Sequence, residues 1–300
     1  MTLQQLRYVV MVAETGTITE AAEKLYISQP SLTSAIRELE KEMNVLIFHR
    51  SNRGIQITRE GEDFLGYARQ VLEQAAILED NYKKQQGGKK HFCVSTQHYS
   101  FAVNAFVDLI QKYGQDEYDF SLRETQTYEI IEDVARMKSE IGILFLNEFN
   151  EKVLCKLFQK NDLKFQELFV AKPHVFISRT HPLAGRKILT NEELEQYPYL
   201  SFEQGEHNSF YFSEEIFSES ERKRNIRVRD RATLFNLLIG INGYTVCSGV
   251  IDETLNGTDI IAVPLAGEGQ MRIGYLTHKK GVISRAAEFY LEQLKTYTST

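Results

Sequence analysis

Only three cysteines occur in the 300 residues, and Cys93, Cys155 and Cys247 stand far apart, without CxxC spacing or a histidine-rich stretch beside them. That excludes a disulfide framework and a zinc site, and leaves ordinary reduced thiols in cores. No apolar run approaches the roughly 20 residues that cross a bilayer. No basic segment followed by an apolar one opens the chain, so neither a membrane partner nor a secretory signal is expected, and the chain reads as cytoplasmic. The patterns GxSxG, HExxH and GxxxxGK[ST] are missing, so nothing encodes a hydrolase elbow, a metalloprotease helix or a phosphate loop. A positive balance is missing as well, since 35 Lys and Arg against 41 Asp and Glu give a net charge of −6. Any nucleic-acid footprint must therefore be local.

What is present is ordinary for a soluble globular chain, with 42% hydrophobic and 25% charged residues, and the length suits about two domains. Residues 17–40 carry two short amphipathic helices. Ile18, Ala21, Ala22 and Leu25 form one apolar stripe, and Leu32, Ala35, Ile36 and Leu39 form another at the same helical spacing. Packing the stripes together turns Pro30, Thr33, Ser34, Arg37 and Lys41 outward. This is the layout of a helix-turn-helix, whose second helix offers hydrogen-bonding groups to base edges in a major groove.

Thr2 with Gln5, and Thr17 with Glu20, make capping boxes for the first two helices, and Ser28 caps the third, with Pro30 in its first turn. Leu3, Leu6, Val10 and Ala13 mark the apolar face expected of the first helix. The segment VLIFHRSNRGIQIT then reads as a hairpin with its tip at residues 51–54, a wing beside the helix-turn-helix. His49, Arg50, Arg53 and Arg59 make residues 44–59 a small basic patch without acids. Arg50 and Arg53 are placed to meet phosphates or a minor groove. Thr58 caps a long helix in which Phe64, Ala68, Val71, Ala75, Leu78 and Tyr82 form a heptad seam. Such a seam predicts pairing with a second copy of the chain, and residues 85–90 are the candidate linker that follows.

Beyond residue 90 strands and helices alternate. Strands are expected at 92–95, 120–124, 141–146, 168–171, 175–178, 199–202, 226–229, 244–247, 260–263 and 273–277. Helices are expected at 101–112, 128–138, 192–196, 210–218, 232–241 and 284–295. The alternation predicts α/β architecture with mostly parallel sheets.

LRYVV, TGTITEAAEKLYISQPSLTSAIRELEKEM, LIFHRSNRGIQIT and REG together resemble the signature of the LysR-type transcriptional regulators. The resemblance implies a winged helix-turn-helix at 1–58, a linker dimerisation helix at 59–88 and a two-lobed α/β effector-binding domain at 89–300, similar to type 2 periplasmic binding proteins. Lobe I is expected at about 89–163 and 268–300, and lobe II at about 164–267. The resemblance also implies binding to inverted repeats in double-stranded DNA by a homotetramer built from dimers, with RNA polymerase as a further candidate partner, and no cofactor beyond a small effector. The expected DNA-binding residues are Thr17, Ser28, Gln29, Pro30, Ser31, Thr33, Ser34, Arg37, Arg50 and Arg53. Many members carry Arg, Lys or Gln where this chain has Ser34, and a short hydroxyl reaches fewer base atoms. STQHYSFAVNAF, LRETQT, QGEHNSFYFSEEIF and DRATLFNLLIGINGYTVCSG more narrowly resemble regulators of sulfur amino acid metabolism in Gram-positive bacteria.

In two-lobed α/β domains ligands settle between lobes, at the carboxyl ends of strands. Ser95, Thr96 and Gln97 follow the first strand, and Thr125, Gln126 and Thr127 follow the second. From the other lobe come Glu203, Gln204, Asn208, Ser209, Arg231 and Thr233. Neutral donors with few fixed positive charges suit a small amino-acid-like or carboxylate metabolite. Each hydroxyl, taken alone, could equally be a helix cap. His98 and Cys247 are expected near the same cleft as structural groups, and Arg222, Lys223 and Arg224 as a solvated face. The alternative reading is a small-molecule-binding protein or enzyme with an incidental helix-turn-helix-like head.

Overall fold

The computed structural model describes all residues except 52–53, 83–89, 116, 208, 219, 221, 252 and 299–300. The expectations for Arg53, Asn208 and most of the linker lie outside the described residues, as do those for the Arg50 and Tyr82 side chains. The chain divides near residue 88 into two compact units.

The first unit opens with α1 (Leu3–Thr15), where Thr2 and Gln5 complete their reciprocal capping box and Gly16 ends the helix at φ 74°. Thr17 caps α2 (Ile18–Lys24), accepting from the Glu20 amide at 3.2 Å. The Glu20 carboxylate pairs with Lys24 at 3.0 Å, so no reciprocal bond closes this second box. Ser28 caps α3 (Gln29–Met43). Leu32, Ile36 and Leu39 of α3 are fully buried with Ala21 and Ala22 of α2. On α1 the buried residues are Leu6, Val9 and Val12, while Leu3 is 40% exposed. The face is rotated from the expected stripe because α1 also packs against the long helix of this unit.

The wing is an antiparallel pair, β1 (Phe48–Ser51) with β2 (Gly54–Ile57), in which Arg50 lies opposite Ile55. The Glu40 carboxylate accepts from the Ile47 and Phe48 amides at 2.8 and 3.1 Å, tying the end of α3 to the first wing strand. The Thr58 hydroxyl accepts from the Gly61 amide at 2.8 Å and starts α4 (Arg59–Tyr82). At Gly61 a Cβ would lie 2.3 Å from the Ile47 carbonyl oxygen, so the close approach of α4 to the wing requires glycine there. Phe64, Leu65, Ala68 and Leu72 pack into the unit's own core, whereas Val71 and Leu78 are 41% and 60% exposed.

The second unit has two lobes. The first holds β3 (Lys90–Thr96), α5 (Ser100–Lys112), β4 (Tyr118–Glu124), α6 (Thr127–Ala135), β5 (Ile141–Leu146), α7 (Glu151–Lys160) and β6 (Leu163–Ala171). The second holds β7 (His174–Ser178), α8 (Asn191–Leu194), β8 (Tyr199–Phe202), β9 (Asn225–Val228), α9 (Arg231–Gly240), β10 (Thr245–Cys247), α10 (Glu253–Asn256) and β11 (Ile260–Pro264). The chain then returns to the first lobe as β12 (Met271–His278) and α11 (Arg285–Thr298). The sheet orders are β4-β3-β5-β12-β6 in the first lobe, and β10-β7-β11 with a separate β8-β9 pair in the second. One hydrophobic cluster runs through both lobes, from Phe92 and Phe101 to Val175 and Tyr244.

Three expectations are corrected. The sheets are mixed, since β3 runs parallel to β4 and β5 but β12 runs antiparallel to β5 and β6, and β7 antiparallel to β10 and β11. The returning β12 enters against the direction of the βαβ strands, and antiparallel neighbours need no crossover helix. The first lobe extends through β6, which pairs with β12, so the crossover lies past residue 171 instead of at 163. Residues 210–218 are not an α-helix but a single 3-10 turn, Phe210–Phe212, followed by turns. Adjacent Glu214 and Glu215 are both buried, whereas consecutive helical residues point about 100° apart. Helices α7, which buries Leu154 and Phe158, and α10 were not expected.

Candidate functional site

On the first unit Thr17, Ser28, Gln29, Pro30, Ser31, Ser34 and Arg37 are exposed, and Thr33 is half-buried. The Ser28 hydroxyl lies 2.7 Å from that of Ser31 and accepts from its amide at 3.3 Å, so both hydroxyls hold the helix start while remaining open to solvent. The turn leading into α3 carries Tyr26, 95% exposed and at φ 55°, a left-handed conformation unfavourable to so bulky a residue. Sequence reasoning passed over it.

The second unit encloses a cavity of about 50 Å³ at the N-terminus of α5, walled from both lobes. His98, Tyr99 and Ser100 border it on one side, and Glu214, Glu215, Arg231 and the Thr245–Cys247 strand on the other, with Phe176, Leu234, Phe235 and Val250 as apolar walls. A hydrogen-bond chain crosses between the lobes beside it. Tyr99 donates to Gln97 Oε1 at 2.9 Å, Gln97 donates to the Thr127 hydroxyl at 2.6 Å, and the Thr127 amide donates to Gln204 Oε1 at 3.0 Å. Gln204 donates to Glu214 Oε1 at 3.2 Å, and Glu214 Oε2 accepts from the His98 amide at 2.9 Å.

His98 is the closing link. Its Nδ1 lies 2.8 Å from Glu214 Oε2, its Nε2 lies 3.2 Å from the Arg229 carbonyl oxygen, and its ring stacks on Phe202 at 3.8 Å. Both ring nitrogens face acceptors, an arrangement that favours the doubly protonated imidazolium. Burial opposes the charge, but the Glu214 carboxylate outweighs it and raises the pKa. Burial and the neighbouring Glu214 push Glu215 up to about 8, with the Phe202 amide donating to its Oε1 at 2.8 Å. Arg231 pairs with Glu124 across the lobes at 3.1 Å, while its Nη1 is buried without a hydrogen-bond partner. Residues after β8 lie over the first lobe, where Tyr128 stacks on His207 at 3.5 Å and Phe149 on Tyr211 at 4.7 Å.

Of the expected effector residues, Arg231 borders this cavity, and Gln97, Thr127 and Gln204 form the chain beside it. Ser95 is buried and donates to Asp133 at 2.7 Å, and the Thr96 hydroxyl donates to the Gln97 carbonyl at 2.8 Å. Thr125 bonds Glu129, Glu203 pairs with Arg229, and Gln126 packs against Gly205, where a Cβ would come within 2.6 Å of its Oε1. Thr233 is held by the capping Asp230, and the Ser209 amide donates to the His207 carbonyl at 2.7 Å. Cys247 borders the cavity, but burial raises its thiol pKa far above the usual range, which makes it a poor nucleophile. Arg222, Lys223 and Arg224 are engaged by Asn191, Glu195 and the Gln196 carbonyl. Sequence reasoning missed Glu214 and Glu215. Two adjacent acids set among Phe212, Ile216 and Phe217 were the available signal of buried carboxylates.

A helix-turn-helix head followed by a two-lobed α/β domain is the domain plan of a bacterial transcriptional regulator. The profile for the lysR family of bacterial regulatory helix-turn-helix proteins matches residues 3–62, and that for the LysR substrate binding domain matches residues 92–299. The chain belongs to the LysR family, and is a DNA-binding transcriptional regulator with an effector-binding domain, not an enzyme. It is 27% identical over 295 residues to the Hca operon transcriptional activator HcaR of Escherichia coli, covering 97% of this chain and 96% of that one. Across the first curated relatives the matched stretch ranges from 30% to 96% of their length. Among solved structures, a full-length OxyR variant from Pseudomonas aeruginosa is 20% identical with a TM-score of 0.70, covering 98% of this chain and 95% of that one. Full-length CbnR complexed with its target DNA is 18% identical with a TM-score of 0.57, covering 99% and 100%. No helix among the described residues is long and apolar enough to cross a membrane.

Proposed function

We propose that this regulator is controlled by a small metabolite held in the interlobe cavity and acts on genes for the uptake or biosynthesis of cysteine and methionine. The observation that carries metabolite control is the cavity itself, which is bordered by ionisable groups of both lobes, His98 from one and the buried Glu214 and Glu215 with the half-buried Arg231 from the other. A ligand there touches both sides of an interlobe seam, so it binds one lobe arrangement better than another and shifts their balance. The sulfur amino acid assignment is supported by the resemblance of the effector-domain segments quoted above. The heads read inverted repeats as pairs, through Gln29, Thr33 and Arg37 in major grooves and Arg50 and Arg53 along the backbone. Two copies pair through α4, two such dimers form the tetramer, and RNA polymerase is the partner through which bound DNA is read out.

The test is fluorescence polarisation with promoter fragments from sulfur amino acid genes, with and without metabolites of those pathways. A metabolite-dependent change in affinity for one of these promoters supports the reading. Specific binding confined to promoters of unrelated genes removes the sulfur assignment, and affinity indifferent to every metabolite removes the effector reading.

A further inference from the structure

Two groups at the interlobe cavity are only partly satisfied. Glu215 is 3% exposed and lies beside the Glu214 carboxylate, and the cation that acts on it, His98, has its Nδ1 held by Glu214 instead. Glu214 is already committed to His98 and Gln204, so it brings like charge and no relief. Arg231 gives one nitrogen to Glu124 and leaves Nη1 buried and unbonded. A buried carboxyl crowded by a like charge and a buried guanidinium nitrogen without an acceptor are each costly, and one ligand can relieve both.

We infer that the effector is a small zwitterion of the amino-acid class, with its ammonium received by Glu215 and its carboxylate by Arg231 and the Ser100 backbone amide. This rests on the reading that the cavity takes the effector. The Ser100 hydroxyl donates to the Val250 carbonyl at 3.3 Å and the Ala102 amide to the Tyr99 carbonyl, but the N-cap Tyr99 makes no side-chain capping bond, so the backbone N–H of Ser100 is the donor that the start of α5 offers an anion. Phe176, Leu234, Phe235 and Val250 form the rest of the wall and suit a short uncharged side chain. The cavity volume of about 50 Å³ matches a handful of heavy atoms and excludes large aromatic effectors. A dicarboxylate would set a second negative charge against Glu214 and Glu215, and a simple amine would leave Arg231 Nη1 unbonded.

The experiment is calorimetry on the full chain with the uncharged L-amino acids, their N-acetyl and amide derivatives, matched monocarboxylates and dicarboxylates, and primary amines. At least one amino acid binds, and blocking either its ammonium or its carboxylate weakens binding tenfold or more. The Glu215→Gln variant, near-isosteric and unable to ionise, keeps its fold by circular dichroism and loses tenfold or more in affinity for that amino acid. Equal affinity for the N-acetyl form, tighter binding of a dicarboxylate, unchanged affinity in Glu215→Gln, or no binding by any amino acid overturns the inference. If a ligand of another charge class binds and alters DNA affinity, the effector reading stands and only the zwitterion assignment fails.

Discussion

Gln29 and Arg53 are asked to do different things. Gln29 is exposed at the start of α3, where a side-chain amide can read an adenine, while Arg53 is expected from the sequence to supply charge to the phosphates. Gln29→Ala is expected to relax base preference at one position by about 1–3 kcal/mol. Arg53→Ala is expected to weaken binding uniformly across sequences and to lower the salt slope by about 1. Both are read by titrating matched and single-mismatch duplexes at two salt concentrations. His98 is the corresponding residue of the second unit. Its pKa is raised in the folded state, so the imidazolium–Glu214 link contributes stability that is fully present below the unfolded value of 6.5 and is lost as pH rises through the folded one. His98→Ala leaves Glu214 buried without its cation and should cost about 3 kcal/mol or more. Urea midpoints of this variant and of the His98→Leu, Glu214→Leu double variant check this, since the double variant removes both charges and should be the more stable of the two. Glu140 gives a second pH signal. Burial lifts it to about 7 where it accepts from the Ser284 amide at 3.1 Å, so the folded state holds its proton longer than the unfolded one. The contribution is full below 4.5 and lost as pH rises through 7. Melting of Glu140→Gln against the parent between pH 5 and 8 should show the parent losing ground as pH rises, and a constant difference would contradict it.

At the scale of elements, α4 divides its work. Its first half is anchored by Leu65 and Ala68 in the unit's own core, while Val71 and Leu78 are left in solvent farther along. Leu78→Glu is therefore expected to shift the assembly toward smaller species by light scattering, and to weaken binding to paired half-sites more than to a single one. Unchanged mass would assign those side chains to solvent. The head was the most legible part of the sequence, because caps such as Thr2, Ser28 and Thr58 and the stripe Leu32, Ile36 and Leu39 are local signals. The α1 face was misplaced because its burial depends on contact with α4, which no local period encodes. In the effector domain the strands were visible from β-branched runs. Their directions were not, since whether β12 enters parallel or antiparallel depends on the path of the chain through the second lobe. The cavity was least legible. Ser95, Thr125 and Thr233 carry the expected hydroxyls, yet each is tied to a nearby carboxylate, and the groups that face the cavity are Glu215, on a segment that reads as helical, and Arg231, whose Nη1 lacks a hydrogen-bond partner.

For the whole molecule, the proposed control links specific recognition of DNA to occupation of the interlobe cavity, and under it each alters the other by the same factor. Tyr99, Gln97, Thr127, Gln204, Glu214 and His98 form a continuous chain across the seam, so a ligand that competes for Glu214 or Arg231 acts directly on what holds the lobes together. The most direct test is the affinity of the full chain for fragments of its own genome against scrambled duplexes of equal length, at fixed near-physiological salt. A preference of about a thousandfold or more for discrete fragments carrying inverted repeats is predicted, with Gln29→Ala reducing it. Equal affinity for genomic and scrambled DNA would contradict the account.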